Sequence, residues 1–442
     1  MNKNINMNEL IIKKRDGRKL SEEEIRTVIA AYDKGEIPDY QMAAFLMAIY
    51  FNSLDREETF ALTDAILKSG EIIDLSAIPD IKIDKHSTGG VGDKTTLIAL
   101  PIAAAAGVPV AKMSGRGLGF TGGTIDKLSA IPGFRVELSP QEFIDQVNRI
   151  GISVISQSGS IAPADKKIYA LRDVTGTVDN LSLIASSIMS KKLASGSDGI
   201  ILDVKCGNGA FFKDEDEASE AANLMIDIGE SGGKNVAAII SGMDQPLGRA
   251  VGNTLEVMEA IDVLKGSGSA DITEVSLEIA KLMIYMAKKA DTPDEAYDKA
   301  KEVLYSGKGL EKLRELIEAQ GGDSKIIDEY SRLGIAKYSY SIEADDIGGY
   351  ISSLDAHLIG EASQLSGAGR MKKEDIIDYQ AGIVIYKKIG EQVAEGDKVI
   401  EIFSNNKDKL KRAADVLMNS YKITKENVTA PKIIKKVIGV KI

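Results

Sequence analysis

The sequence predicts an α/β plus α protein with three parts: a discontinuous helical domain, a mostly parallel-sheet α/β domain, and a C-terminal α+β domain of barrel-sandwich type. Three observations predict it. Residues 1–70 carry helix-start signals, residues 78–260 alternate short β-rich runs with helical stretches, and from about Tyr338 the chain breaks into short strands and turns. Its 442 residues suit two to three domains.

Each element has its own justification. Ser21-Glu22-Glu23-Glu24 has capping-box spacing ahead of an amphipathic stretch ending near Asp33. Pro38-Asp39 precedes the apolar run Tyr40–Phe51, and Asp55 caps a helix that runs to Lys68 and stops at Gly70. Strands are expected at Ile81–Ile83, Val108–Met113, Ile152–Ser156, Gly199–Val204 and Val236–Ile240. Helices are expected between them at Thr95–Ala106, Pro140–Ile150, Asp214–Glu230 and Asn253–Lys265, the order of βαβ units. Pro163–Asp173 and Leu181–Ala194 read as consecutive helices with no strand between them. That breaks the alternation and assigns them to the N-terminal helices. The expected boundaries are 1–70 and 160–195 for the helical domain, 75–155 and 196–335 for the α/β domain, and 336–442 for the C-terminal domain. Lys387–Val393 followed by Ala394–Asp397 reads as a hairpin and resembles the barrel-sandwich pattern of lipoyl and biotinyl domains. No Met-Lys pair stands at its tip, so a structural β domain is expected rather than a swinging-arm carrier.

Composition narrows the function. Apolar residues make up 44% and charged residues 27%, an ordinary globular balance. With 55 Lys+Arg against 66 Asp+Glu the net charge is −11, which argues against a nucleic-acid partner. A small anion remains open if basic residues gather locally. The single cysteine, Cys206, excludes an internal disulfide, and with only two histidines a usual zinc site is excluded. The sequence offers no signal-type apolar core and no run of 18 apolar residues, so no membrane partner and a cytoplasmic location are expected.

Glycine is in excess, 42 residues in all, and the excess concentrates in two segments. Lys85-His86-Ser87-Thr88-Gly89-Gly90-Val91-Gly92-Asp93-Lys94-Thr95-Thr96 follows a strand and opens a helix. Backbone N–H groups, the helix dipole and hydroxyls make such a turn an anion site. It is not a P-loop, because Asp93 separates Gly92 from Lys94. The second segment, Lys112 to Leu128, contains G-x-G-x-x-G at Gly117, Gly119 and Gly122. It sits in the second βα turn rather than the first, which argues against a dinucleotide. Two such loops can converge on one phosphate, with Lys85, Ser87, Thr96, Ser114 and Thr124 as donors. His86 can give a hydrogen bond or a proton to a leaving group. Ser187 and Lys191, four apart on one helix face, could join Arg172 in gripping a planar ligand with carbonyl acceptors, or form a solvated basic face.

These residues carry a resemblance. Ser114-Gly-Arg-Gly-Leu-Gly-Phe-Thr-Gly-Gly-Thr-Ile-Asp126-Lys-Leu128 resembles the signature of thymidine and pyrimidine-nucleoside phosphorylases. The similarity extends through Lys85–Thr96, Ala164–Thr175, Ser186–Lys192, Asp203–Lys205, Gln245–Asn253 and Gly367–Arg370. It implies a homodimer that carries out reversible phosphorolysis in nucleoside salvage and catabolism, with phosphate as co-substrate and no cofactor for the chemistry. It implies His86, Lys191 and Arg172 as catalytic residues. Lys85, His86, Ser87, Thr96, Lys112, Met113, Ser114 and Thr124 are implied at phosphate, and Arg172, Ser187, Lys191, Phe211 and Lys112 at base and sugar. Base ligands on helices and phosphate ligands on the sheet imply two half-sites that close on the substrate. Lys112 resembles the broad-specificity enzymes, which accept uridine and thymidine, and could reach a 2′-hydroxyl at a pocket edge. The resemblance further implies a structural potassium ion at Gly92, Lys94, Leu247, Ala250 and Glu259. Alternatively Lys94 places its own ammonium there. Phe120, Ser129, Cys206 and Asn208 depart from the family pattern. The alternatives are a strict thymidine phosphorylase, a phosphoribosyltransferase of the anthranilate type using Asp84 and Asp93 for magnesium, and a catalytically silent binder.

Overall fold

Four helices open the chain: α1 (Met7–Arg15), α2 (Glu22–Asp33), α3 (Asp39–Asn52) and α4 (Arg56–Leu67). The computed structural model describes residues 6–117, 122–344, 348–372 and 375–440; Phe120 lies outside them. Both predicted caps close. Ser21 accepts from Glu24 N while Glu24 returns to the Ser21 N–H, and Asp55 and Glu58 do the same for α4. Helix α1 is an addition to the sequence reading. Its polar, weakly amphipathic face is anchored by a buried ion pair, Lys14 to Glu58 at 2.9 Å, which no local pattern reveals.

The chain continues through β1 (Ile83–Ser87), α5 (Thr95–Ala105), β2 (Val110–Ser114), α6 (Thr124–Ser129), α7 (Pro140–Ile150) and β3 (Ile152–Ser156). Then follow α8 (Pro163–Thr175), α9 (Leu181–Ala194), β4 (Gly199–Cys206), α10 (Glu215–Ser231), β5 (Asn235–Gly242), β6 (Ala250–Gly252) and α11 (Thr254–Leu264). Helix α8 packs on α2, α3 and α4, and α9 packs on α4. The helical unit is therefore assembled from three stretches: the chain up to Ala77, Gln157–Ile200 and Ser219–Val236. A second unit comprises Ile78–Ser156, Ile201–Ala218 and everything from Ala237 onward.

In this second unit the single, mostly parallel sheet that was expected is divided. β1, β4 and β5 lie side by side, and Ile434–Ile438 adds antiparallel to β5. β2 and β3 form a separate parallel pair, in register from Val110 against Ile152 to Ser114 against Ser156. A side chain explains the seam. The Lys112 ammonium donates to the Lys85 carbonyl of β1, the kind of acceptor a neighbouring strand would use.

The C-terminal region holds small antiparallel sheets. Gly349–Leu354 is flanked by Gln392–Val393 and Tyr421–Thr424, while Lys398–Ser404 lies between Tyr338–Glu343 and Gly382–Ile385. Gly382–Ile385 also pairs with β6. The expected hairpin at Lys387–Asp397 is corrected. Ala394–Asp397 is a tight turn, closed by Asp397 N to Ala394 O at 3.1 Å, but the strands on either side enter different sheets. The reason is local: Ile351 and residues 390–391 exchange backbone bonds at 3.1 and 2.9 Å, drawing the first arm away.

Candidate functional site

β1 ends where the first glycine segment begins. Strand alternation places Lys85 and His86 on opposite faces; Lys85 is buried, while His86 and Ser87 are half-buried. The Lys85 ammonium donates to Thr95 Oγ1 at 2.6 Å and lies 3.8 Å from Asp93 and 3.6 Å from Asp203. Burial drives it below the ordinary lysine range, and the two carboxylates only partly offset that. Thr95 and Thr96 open α5, whose N-terminal dipole faces the same turn.

Asp203 and Lys205 belong to the cluster and were quoted only as part of the resemblance. Two apart on β4, they share a face, which is the signal that could have found them. Lys205 pairs with Asp203 at 2.7 Å and donates to Ser241 Oγ at 3.0 Å. Burial would raise Asp93, but Lys205 and Lys85 outweigh it and hold its carboxyl well below the usual range.

The two glycine segments are tied together. Lys127 on α6 donates to Asp93 O in the first and Gly122 O in the second, both at 3.1 Å, and pairs with Glu256 at 3.1 Å. Asp126 accepts from Gly117 N at 2.7 Å and from Arg370 at 2.9 Å. A side chain at Gly123 would put Cβ 2.0 Å from Gly117 N, so this turn requires glycine. Ser114 ends β2 and Thr124 begins α6, both half-buried, whereas Met113 is buried. Phe211 is 44% exposed in the turn after β4.

Lys112 is buried, as Lys85 is. It is 2% exposed and pairs with Asp84 at 3.4 Å besides bonding the Lys85 carbonyl. A buried ammonium facing a buried carboxylate holds that place.

The helical unit carries the other group. Ser187 and Lys191 meet as their spacing requires: the ammonium donates to Ser187 Oγ at 2.9 Å and to Asp165 Oδ2 at 2.6 Å. Asp165 was missed. It is a buried carboxylate in the first turn of α8, where the helix dipole favours a negative charge. Tyr169 was missed too, and its ring centre is 5.6 Å from the Arg172 guanidinium and 5.9 Å from the Lys191 ammonium. Arg172 joins them but is largely engaged with backbone: it donates to Thr177 O at 3.0 Å, Leu183 O at 3.1 Å and Val178 O at 2.5 Å. Burial lowers its pKa. Two of its five N–H donors make no hydrogen bond among the described residues.

Comparison with known proteins decides between the readings. A model of the glycosyl transferase family, helical bundle domain, matches residues 8–70, and one of the glycosyl transferase family, a/b domain, matches residues 80–310. A model of the pyrimidine nucleoside phosphorylase C-terminal domain matches residues 350–424. The chain is 51% identical over 428 residues to a pyrimidine-nucleoside phosphorylase of Geobacillus stearothermophilus, covering 97% of this chain and 98% of that protein. It is 52% identical over 432 residues to the Bacillus subtilis (strain 168) protein of the same name, covering 98% and 99%.

The chain belongs to the pyrimidine-nucleoside phosphorylase family.

Anthranilate phosphoribosyltransferase (TrpD) from Thermus thermophilus shares the fold, with a TM-score of 0.56 and 20% identity over 70% of this chain and 99% of that one. The acids a magnesium site would need are neutralised in this pyrimidine-nucleoside phosphorylase family member: Asp84 faces Lys112, and Asp93 faces Lys85 and Lys205.

The potassium expected from the resemblance meets a different obstacle. The implied ligands do come together, but around Lys94. Its ammonium donates to Leu247 O and Ala250 O, each at 3.0 Å, and to Glu259 Oε2 at 2.5 Å. A second cation about 4 Å from that ammonium would be repelled by about 4 kcal/mol at an effective dielectric of ~20. Two glycines close the cage. Cβ on Gly92 would lie 2.5 Å from Leu247 O, and on Gly248 it would lie 2.7 Å from both Glu259 and Lys94 Nζ. The residues present do not fit potassium beside Lys94.

Proposed function

We propose that this chain catalyses the reversible phosphorolysis of pyrimidine nucleosides, uridine, thymidine and deoxyuridine, to the free base and (deoxy)ribose 1-phosphate. One observation carries the geometric side of the reading: a buried lysine and a row of hydroxyls gather at the N-terminus of α5, where every nearby carboxylate is already matched by a lysine. Such a place takes an oxyanion and holds it without a metal.

In this reading Lys85, Ser87, Thr96, Ser114 and Thr124 hold phosphate, while Lys191, Ser187 and Arg172 take the base. Phosphate oxygen forms the new bond to C1′, and the C1′–N bond breaks with its electron pair leaving on the base. Lys191, Arg172 and His86 stabilise the negative charge that develops there. Asp165 and Ser187 orient the lysine. Breadth towards ribose and deoxyribose rests on the identity to enzymes named for pyrimidine nucleosides, not on contact from Lys112. A homodimer fits the exposed apolar surface of the helical unit: Tyr40 and Phe51, eleven apart on α3 and so on one face, are 74% and 77% exposed.

The test is phosphate-dependent release of base from uridine and thymidine, followed by chromatography. Uracil and thymine released only with phosphate support the broad enzyme. Thymine alone would restrict it to thymidine, and no base from either would overturn the proposal.

A further inference from the structure

A lysine at the N-cap of a helix is electrostatically misplaced, because the dipole there favours negative charge. Lys94 occupies that position on α5, adds no side-chain cap, and is 1% exposed. The compensation comes from the loop between β5 and β6. Leu247 and Ala250 turn their carbonyls onto its ammonium, and Glu259 on α11 supplies the opposite charge. Glu259 is itself held in place, accepting from Arg249 N at 2.7 Å and Ala250 N at 2.8 Å. The neighbouring carbonyls of the same loop, Pro246 and Gly248, close on a second ammonium, that of Lys388, at 2.7 and 3.0 Å. The loop is thus folded around positive charge, with acceptors arranged as a hard cation requires.

We propose that the Lys94 ammonium is the chain's own tethered monovalent cation. It replaces a free ion in the oxygen cage of Leu247, Ala250 and Glu259, and so makes the fold of this region independent of potassium. Because the next residues are Thr95 and Thr96, the same tether fixes the start of α5 against the β5–β6 loop. Lys94 is then a positioning residue, acting through the turn it anchors. Removing the side chain beyond Cβ should leave an anionic, carbonyl-lined cavity that a free cation can enter.

The experiment compares the intact protein with Lys94→Ala and Lys94→Met at constant ionic strength in potassium, ammonium or tetramethylammonium chloride. Thermal midpoint and equilibrium binding of rubidium are the readouts. The wild-type midpoint should be the same in all three salts, with no stoichiometric rubidium bound. Lys94→Ala should lose about 5 °C or more in tetramethylammonium, regain most of it in potassium or ammonium, and bind one rubidium per chain. Lys94→Met should be destabilised without rescue, because its side chain fills the cavity. A wild-type protein that gains stability specifically from potassium, or binds one rubidium, would overturn the proposal. So would a Lys94→Ala protein that folds but is indifferent to the cation. If Lys94→Ala does not fold in any salt, the wild-type arms still decide.

Discussion

Burial disfavours the charge on Lys85, which makes its titration a probe of the phosphate binding proposed for it. Its pKa lies below the ordinary lysine range, so its ammonium is lost at a lower pH than that of an exposed lysine. Phosphate affinity measured calorimetrically should fall between neutral pH and about pH 10. Lys85→Arg, if it still binds, should not show that fall, since guanidinium stays charged; identical profiles would remove Lys85 from the phosphate site. On the base side, Lys191→Ala should lower kcat/KM for uridine by about 10²-fold or more while leaving phosphate binding intact. Unchanged uridine kinetics would sink that assignment, and replacing His86 should cost less. At this scale the sequence was informative where partners are near in number. Ser187 and Lys191 were legible as a helical pair, and Asp203 with Lys205 could have been read from strand alternation. The backbone partners of Arg172 and Lys112 were not legible: Thr177, Val178 and Leu183 carbonyls for one and the Lys85 carbonyl for the other. Side-chain identity does not advertise a carbonyl.

Elements were legible in proportion to how locally they are specified. The capping boxes at Ser21 and Asp55 place the starts of α2 and α4, and Ile152–Ser156, Pro140–Ile150 and Leu181–Ala194 fall where periodicity puts them. β1 begins two residues later than expected and runs through Ser87, because Lys85 to Ser87 continue the strand instead of starting the turn. The 387–397 segment was misread for the opposite reason: a hairpin pattern describes two arms and a turn but not which sheet each arm joins. Lys388 shows what anchors the first arm. It bonds Pro246 O, Gly248 O and Asp271, which lies on the helix Ala270–Met286. Burial would raise Asp271, but Lys388 outweighs it and lowers its pKa to about 2. The sign follows: this carboxylate contributes stability above its unfolded value near 3.9, and that contribution fades as pH falls toward 2. Urea unfolding should therefore show the stability gap between wild type and Asp271→Asn narrowing by about 2 kcal/mol over that range. A gap independent of pH would mean the pairing contributes nothing.

For the whole molecule, composition spoke to class and recognition of several ordered motifs spoke to chemistry, whereas neither could divide the sheet or choose between potassium and the Lys94 ammonium in the cation cage. A net charge of −11 is compatible with the proposed anion site because the local lysines are buried, with Lys85 and Lys205 sharing Asp93 and Asp203. The proposed homodimer has a direct check. Sedimentation should give twice the 47.4 kDa chain mass, and Phe51→Glu should shift the equilibrium toward single chains; a wild-type mass of one chain would refute it. Membership of the family does not by itself predict the internal ammonium at the start of α5.

The three-stretch construction of the helical unit also matters during synthesis. Helices α1 to α4 leave the ribosome with the chain up to Ala77, but α8 and α9, which pack on them, end only at Ala194. At ordinary elongation rates that interval is on the order of ten seconds. For that time the nascent helices carry an apolar face whose covering has not been translated, which makes the early chain a natural client for a ribosome-associated chaperone and a poor candidate for expression as an N-terminal fragment.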